Sequence, residues 1–369
     1  MLRKLRTFAS LYRELGLRWS AFRVAYAFRL RTGLVRLQMP QYKWSDRPLE
    51  TWLKKDFRAP EEHRDYSERS DERSSRHAVE VRLPANIPWN QQTAIEEADR
   101  ILKGEIKYFA HEFVKTGFPP NWHQLPSTLP TPSADGVLSR MADKHWSQIS
   151  DDDVVASLRE AISSHEGVAS AKNASQRHVD IKFIWEPNRF AFVYTLVRAY
   201  AATQDEKYAE AFWQSILDWA EHNPPNTGPN WMDGQEIALR LMAWTFGFHQ
   251  FSNSPSTTPQ RKARFTQFVA AQAERIYRNI GYAISTRSNH TISEAFGLWL
   301  VGVLFPELTD SEKYLSLGGD LLEREAAAQI FPDGSYSMYS LNYHRFILHI
   351  YLYAIRLGEL NNSRFSNSL

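Results

Sequence analysis

PQRKARFTQFVAAQAERIYRNIGYAISTRSNHTISEAFGLWLVGVL, residues 259–304, contains two runs of helical apolar periodicity with a short polar joint between them. The spacing predicts helices over about 259–282 and 289–304. Asn289 stands where a helix N-cap is expected. So short a joint forces the two helices to run antiparallel. Working outward, the same periodicity predicts helices at roughly 151–164, 187–203, 206–222, 233–251, 310–328 and 338–358. Asp233 caps the run that begins Gly234-Gln235-Glu236, and Gly358 ends the last long helix. Antiparallel pairs repeated every ~40–50 residues make an all-α, curved array of helical hairpins. Such an array can close into an α/α toroid with a cleft at one rim. An open α-solenoid fits the periodicity equally well.

The N-terminal part reads differently. Residues 1–37 are expected to be helical, with a break at Thr32-Gly33. Residues 38–95 look irregular, with Pro40, Pro48, Pro60, Pro84 and Pro88 and a dense charge run from Glu61 to Arg76. Residues 77–82 alternate as a short strand would. A helix is expected over about 91–116, followed by a loop over 117–123 and a Ser/Thr/Pro stretch over 126–135. The division that results is a basic helical segment and linker, 1–90, and a helical domain, 91–369.

Composition narrows the function classes. The chain has 369 residues, 43% hydrophobic and 23% charged, which is a folded globular protein. It has no cysteine, so disulfides and thiolate metal sites are excluded. Aromatics reach 13%, which suits either a large helical core or a cleft where sugars stack on rings. The net charge of +2 hides an asymmetry. Residues 1–43 hold ten Lys or Arg and one acid, Glu14. The remaining 34 basic and 41 acidic residues give the rest of the chain a net of −7. That body is no generic polyanion binder, and nucleic acid is excluded as a partner. The basic N-terminus is either a solvated helix pair packed on the main domain or a surface for an anionic membrane or a partner. Arginines interrupt the run from Trp19 to Leu37, so no signal peptide is evident and the default compartment is the cytoplasm. Ala295–Phe305, the longest uncharged apolar stretch, is too short to span a bilayer.

Four segments mix polar and aromatic residues within apolar helical patterns: Phe183–Arg189, Asn230–Arg240, Thr286–Glu294, and Phe331–Tyr336 leading to Asn342-Tyr343-His344-Arg345. Three lie near expected helix starts and the last inside its helix. In a hairpin array alternate helices start at one rim, so the four can converge. Each residue also has a structural reading. Asn289 can be a cap and His290 a core histidine. Glu294 can pair with His290 one turn away, and Glu236 with Arg240. Trp185 and Trp231 are sugar platforms or core anchors. Three polar side chains around Tyr343 are harder to explain as packing.

The stretch Asp180–Arg189, Asn230-Trp231, Asn289-His290, and Asp333-Gly334 followed by Tyr343-His344 resemble the heparinase II/III family of polysaccharide lyases, whose helical domain the alginate lyases share. The resemblance covers roughly 90–360. It implies an incomplete α/α toroid followed by a C-terminal β-sandwich, and no strand-rich pattern is expected between the last helix and Leu369. Secreted, periplasmic members are typical. It also implies that Asn289 and His290 bind a uronate carboxylate and that Tyr343 handles protons. Trp185, Asn188, Arg189, Asn230, Trp231, Glu236, Arg240, Glu294, His344 and Arg345 are then the candidates for holding an acidic polysaccharide. The chemistry fits. β-Elimination removes a weakly acidic C5 proton, so the adjacent carboxylate must be neutralised and the enolate stabilised. A tyrosine with its pKa lowered by a cation such as Arg345 can be base or acid. No metal or cofactor is required. Two other classes compete. A glycoside hydrolase would use two of Glu186, Asp233, Glu236, Glu294 and Asp333. A non-catalytic helical-repeat protein would scatter the four segments.

Overall fold

The computed structural model describes residues 2–55, 89–123, 141–149 and 181–366, with side chains from Tyr12 onward in the first stretch. The expected helix at 151–164, the strand at 77–82, the charge run at 61–76 and the Ser/Thr/Pro stretch all lie outside those residues.

The described chain is all-α apart from one small hairpin. Helices α1 (Leu2–Arg31) and α2 (Leu34–Gln38) come first, then α3 (Gln91–Leu102). Strands β1 (Glu105–Tyr108) and β2 (Glu112–Lys115) follow, paired antiparallel with Ile106 opposite Val114. The remaining helices are α4 (Lys182–Asn188), α5 (Val193–Thr203), α6 (Lys207–His222), α7 (Gly234–Gln250), α8 (Pro259–Thr286), α9 (Asn289–Leu304), α10 (Ser311–Gln329) and α11 (Leu341–Leu360).

From α6 onward the hairpins follow the expected spacing. Helix α9 is buried along nearly its whole length, with α7, α8, α10 and α11 around it. A helix apolar on every side can be stable only in such an interior position. Glycines set its closest contact. A Cβ at Gly302 would lie 2.5 Å from the Leu315 backbone, and one at Gly318 2.5 Å from the Trp299 backbone. These two contacts run in opposite chain directions, so α9 and α10 are antiparallel at close range.

Four boundaries differ from expectation. The helix expected over 91–116 stops at Leu102, because Gly104 is left-handed (φ 83°), and a Cβ there would lie 2.8 Å from the Gly117 backbone. There Ile106 and Tyr108 alternate inward as a strand. The helix expected over 187–203 is two helices, parted at Phe190, whose φ of 58° no helix tolerates. Helix α1 is broken at Gly16 (φ 84°) as well as before Gly33. Helix α11 starts at Leu341 rather than 338, since Tyr339 is left-handed and the Ser340 side chain caps the first turn.

The segment after α2 is woven onto the helical body. The Trp44 indole donates to the Ala220 carbonyl (2.7 Å), and Arg47 pairs with Glu274 (2.6 Å). Leu53 bridges to Leu308.

Candidate active site

Two helix starts and one helix end are tied together at one rim. Asp233 caps α7 by accepting from the Gln235 backbone N–H (2.7 Å), and Ser288 caps α9. The Asn289 amide donates to Gln235 Oε1 (2.5 Å) and the Ser293 hydroxyl donates to the same oxygen (3.1 Å), so the first turns of α7 and α9 lie side by side. At the end of α10, the Gln329 amide donates to the Ser288 carbonyl (3.2 Å). Tyr336 Oη donates to Gln329 Oε1 (2.7 Å), which fixes the loop leading into α11 and Tyr343. Burial first, then Glu325 and Tyr343, push the Tyr336 phenol up. Tyr343 follows that loop in the chain. It stands in the first turn of α11, not mid-helix, and its side of the helix is open: Tyr343 is 39% exposed. Asn342 and Arg345 are also exposed, and His344 is half-buried.

At the starts of α7 and α9, Asp233, His290 and Glu294 bring one ligand atom each to within 4.8 Å of one another. His290 Nδ1 lies 3.5 Å from Asp233 Oδ1, an ion-pair distance rather than a good hydrogen bond. Burial works against the charge on each, yet the pair wins. Attraction to Asp233 raises the His290 pKa, while attraction to His290 and the backbone N–H groups of Gln235 and Glu236 hold the Asp233 carboxyl down. The imidazole is thus biased toward its charged form, half-exposed at the rim. Glu294 lies beneath, fully buried. Burial, then the charge of Asp233, push its carboxyl well up, and Arg275 only partly offsets them. Its Oε2 has no hydrogen-bond partner. Gly234 packs directly above it, and a Cβ there would lie 2.3 Å from the Glu294 carboxyl and push it aside. Such a histidine and two acids can hold either a proton or a divalent cation.

Arg275, on α8, was not singled out from the sequence. It is fully buried, donates to the Trp231 and Met232 carbonyls (3.1 and 2.9 Å), and stacks 3.8 Å from the Trp146 ring centroid. Nothing in the sequence distinguishes it from the other arginines of that helix. Asp233 was legible as a cap, and its pairing with His290 was not.

The other sequence candidates form the wall behind the rim. Arg189 clamps Glu236 with two hydrogen bonds (2.5 and 2.7 Å) and Glu186 with a third (2.7 Å). Glu186 also accepts from the Phe109 backbone N–H in the β1–β2 turn (2.8 Å). The expected Glu236–Arg240 pair is therefore replaced: Glu236 takes Arg189 instead. Arg240 is wholly interior, donating to Gln272 Oε1 (2.7 Å) and stacking 4.2 Å from the Trp219 ring centroid. Asn188 and Asn230 both donate to the Trp122 carbonyl (2.9 and 3.2 Å) and are buried. Trp231 is fully buried with its indole donating to the Asn223 carbonyl (3.3 Å), and the buried Trp185 donates to the Pro229 carbonyl (3.0 Å). Both tryptophans take the core-anchor role here. Asp333 sits in an exposed turn, accepting from Ser335.

Residues 162–367 match the heparinase II/III N-terminus family. The chain belongs to the heparinase II/III family. The heparin-sulfate lyase of Bacteroides thetaiotaomicron is 33% identical over 168 residues, 44% of this chain and 23% of that protein. The heparin-sulfate lyase of Pedobacter heparinus is 31% identical over 175 residues, 46% of this chain and 26% of that protein. The fold is shared with a crystal structure of heparinase III (TM-score 0.55, 20% identity, 86% of this chain and 44% of that one). It is shared too with the heparan sulfate lyase HepC of Pedobacter heparinus (TM-score 0.54, 21% identity, 82% of this chain and 40% of that one). This chain thus spans under a third of the curated relatives' length in sequence, and under half of those structures.

Proposed function

We propose that this chain carries the helical catalytic domain of a polysaccharide lyase that cleaves a uronic-acid-containing glycosaminoglycan or related acidic polymer by β-elimination. Residues 91–369 are then the toroid domain and 1–90 a basic helical segment and linker. The observation that carries the reading is the half-exposed His290, adjacent to Asn289 and held 3.5 Å from Asp233, whose charge raises its pKa. A uronate carboxylate placed at the starts of α7 and α9 meets the His290 imidazole, biased toward its charged form, and the N-terminus of α9, both favouring negative charge. Neutralising that carboxylate makes the C5 proton removable and spreads the enolate charge. Tyr343, on the open first turn of α11, moves the proton as base or as acid toward the leaving oxygen. No step needs a metal. Against a hydrolase, Glu186 and Glu236 are spent on Arg189 and Asp333 on its own turn.

The test is the ultraviolet absorbance of the unsaturated uronate product, which hydrolysis does not form. The full-length protein is screened on heparan sulfate, alginate and bacterial capsule uronates. Activity should appear with one of them, and Tyr343→Phe should lower turnover about 10²–10⁴-fold with little change in melting temperature. Reducing ends released without new absorbance would reject the lyase reading.

A further inference from the structure

Helix α1 has one face satisfied by the protein and one that is not. The inner face packs on α8. The Trp19 indole donates to the Ser285 carbonyl (2.7 Å), and the Tyr26 ring lies 4.9 Å from that of Tyr282. Phe22 lies against Gly281. These contacts fix which way the helix is turned. The outer face carries Leu17, Ala21, Val24, Ala25 and Phe28, at i, i+4, i+7, i+8 and i+11, all exposed. That spacing is one continuous apolar stripe. Its large members are far more exposed than isolated surface apolar residues need to be: Leu17 68%, Val24 57% and Phe28 63%. Across the Gly16 break, Tyr12 joins Leu17, Val24 and Phe28 in lining an open hollow of about 630 Å³. Past the Gly33 break, Leu37 is 80% exposed.

Arginines flank the stripe. Arg13, Arg18, Arg31 and Arg36 are exposed. They belong to the ten basic residues that face a single acid, Glu14, within residues 1–43. No described helix is long and apolar enough to cross a membrane.

We propose that α1 and α2 form a docking surface for an anionic lipid bilayer, with the stripe lying in the interface and the arginines on headgroup phosphates. Each half of the feature needs the other. Acidic polysaccharide would satisfy the arginines and leave the stripe in water. A second copy of the chain would cover the stripe but bring two arginine-rich borders together, and like charges repel. A bilayer that carries anionic lipid offers an apolar layer under a negative surface, which matches both. The remainder of the chain, at net −7, is repelled by that surface, so the helix is held to it with the body facing away.

The experiment is cosedimentation of the full chain with vesicles of equal parts phosphatidylglycerol and phosphatidylcholine, and with phosphatidylcholine alone, alongside light scattering of the protein without lipid. The chain should pellet with the anionic vesicles, not with the neutral ones, and added salt should release it. Phe28→Asp or Val24→Asp, both exposed and so harmless to the fold, should each lower partitioning about tenfold or more. Arg13→Gln and Arg18→Gln should each lower it roughly fivefold. Absence of pelleting, pelleting unchanged by Phe28→Asp and Val24→Asp, or a dimer that Phe28→Asp dissolves would overturn the proposal.

Discussion

Two charge clusters flank the start of α7, and they treat their hydrogen bonds in opposite ways. Arg189 gives three donors to Glu236 and Glu186, and the hairpin backbone adds a fourth to Glu186, so this cluster is saturated. Asp233, His290 and Glu294 are held at 3.5 Å or looser, with Glu294 Oε2 unpartnered and the imidazole half-exposed. The first cluster uses its charges on itself and fixes α4, α7 and the β1–β2 turn against one another. The second keeps capacity in reserve. Buried charge that is fully paired is a structural device, whereas a perturbed group with an open side is one that can take a ligand.

The largest effect expected from this contrast is on stability. Arg189→Met leaves two buried carboxylates unpaired and should cost about 3–5 kcal/mol in urea unfolding. A loss under 1 kcal/mol would mean that the clamp is looser than its geometry implies. The smaller effect lies in the second cluster. The Glu294 carboxyl is raised in the folded state, so above the ordinary carboxylate pKa of about 4.3 the unfolded chain loses a proton that the folded chain keeps. Stability therefore falls as pH rises, and Glu294→Gln removes that dependence. The stability of the variant relative to the parent should climb with pH, by no more than about 1.4 kcal/mol per pH unit. A difference that does not vary with pH would show that Glu294 is ionised in the fold.

The same contrast explains what could be read in the sequence. Helix periodicity marked α6 to α10 to within a few residues, because each buries an apolar face. It failed where backbone conformation decides. Phe190 and Tyr339 adopt left-handed conformations that their residue types do not announce, and β1–β2 hid in what looked like the tail of α3. The site was legible as segments and not as partners. Asn289, His290 and Tyr343 could be singled out in the sequence. Arg189 in place of Arg240 as the partner of Glu236, and Asp233 as that of His290, depend on how α4, α7 and α9 cross, which no local pattern encodes. Trp185 and Trp231 show the same limit: an aromatic beside acids reads alike whether it faces a sugar or the core.

The central claim is that Asp233 biases His290 toward its charged form at the rim, ready for a carboxylate. Its most direct test is an NMR titration of the His290 imidazole in the parent protein and in Asp233→Asn. With Asp233 present, attraction outweighs burial, and the midpoint should lie above the ordinary histidine value of about 6.5. With asparagine that attraction is gone, and burial is opposed only by the weaker pull of Glu236, so the midpoint should fall below the parent's. Equal midpoints in the two proteins, or a parent midpoint already below 6.5, would contradict the account.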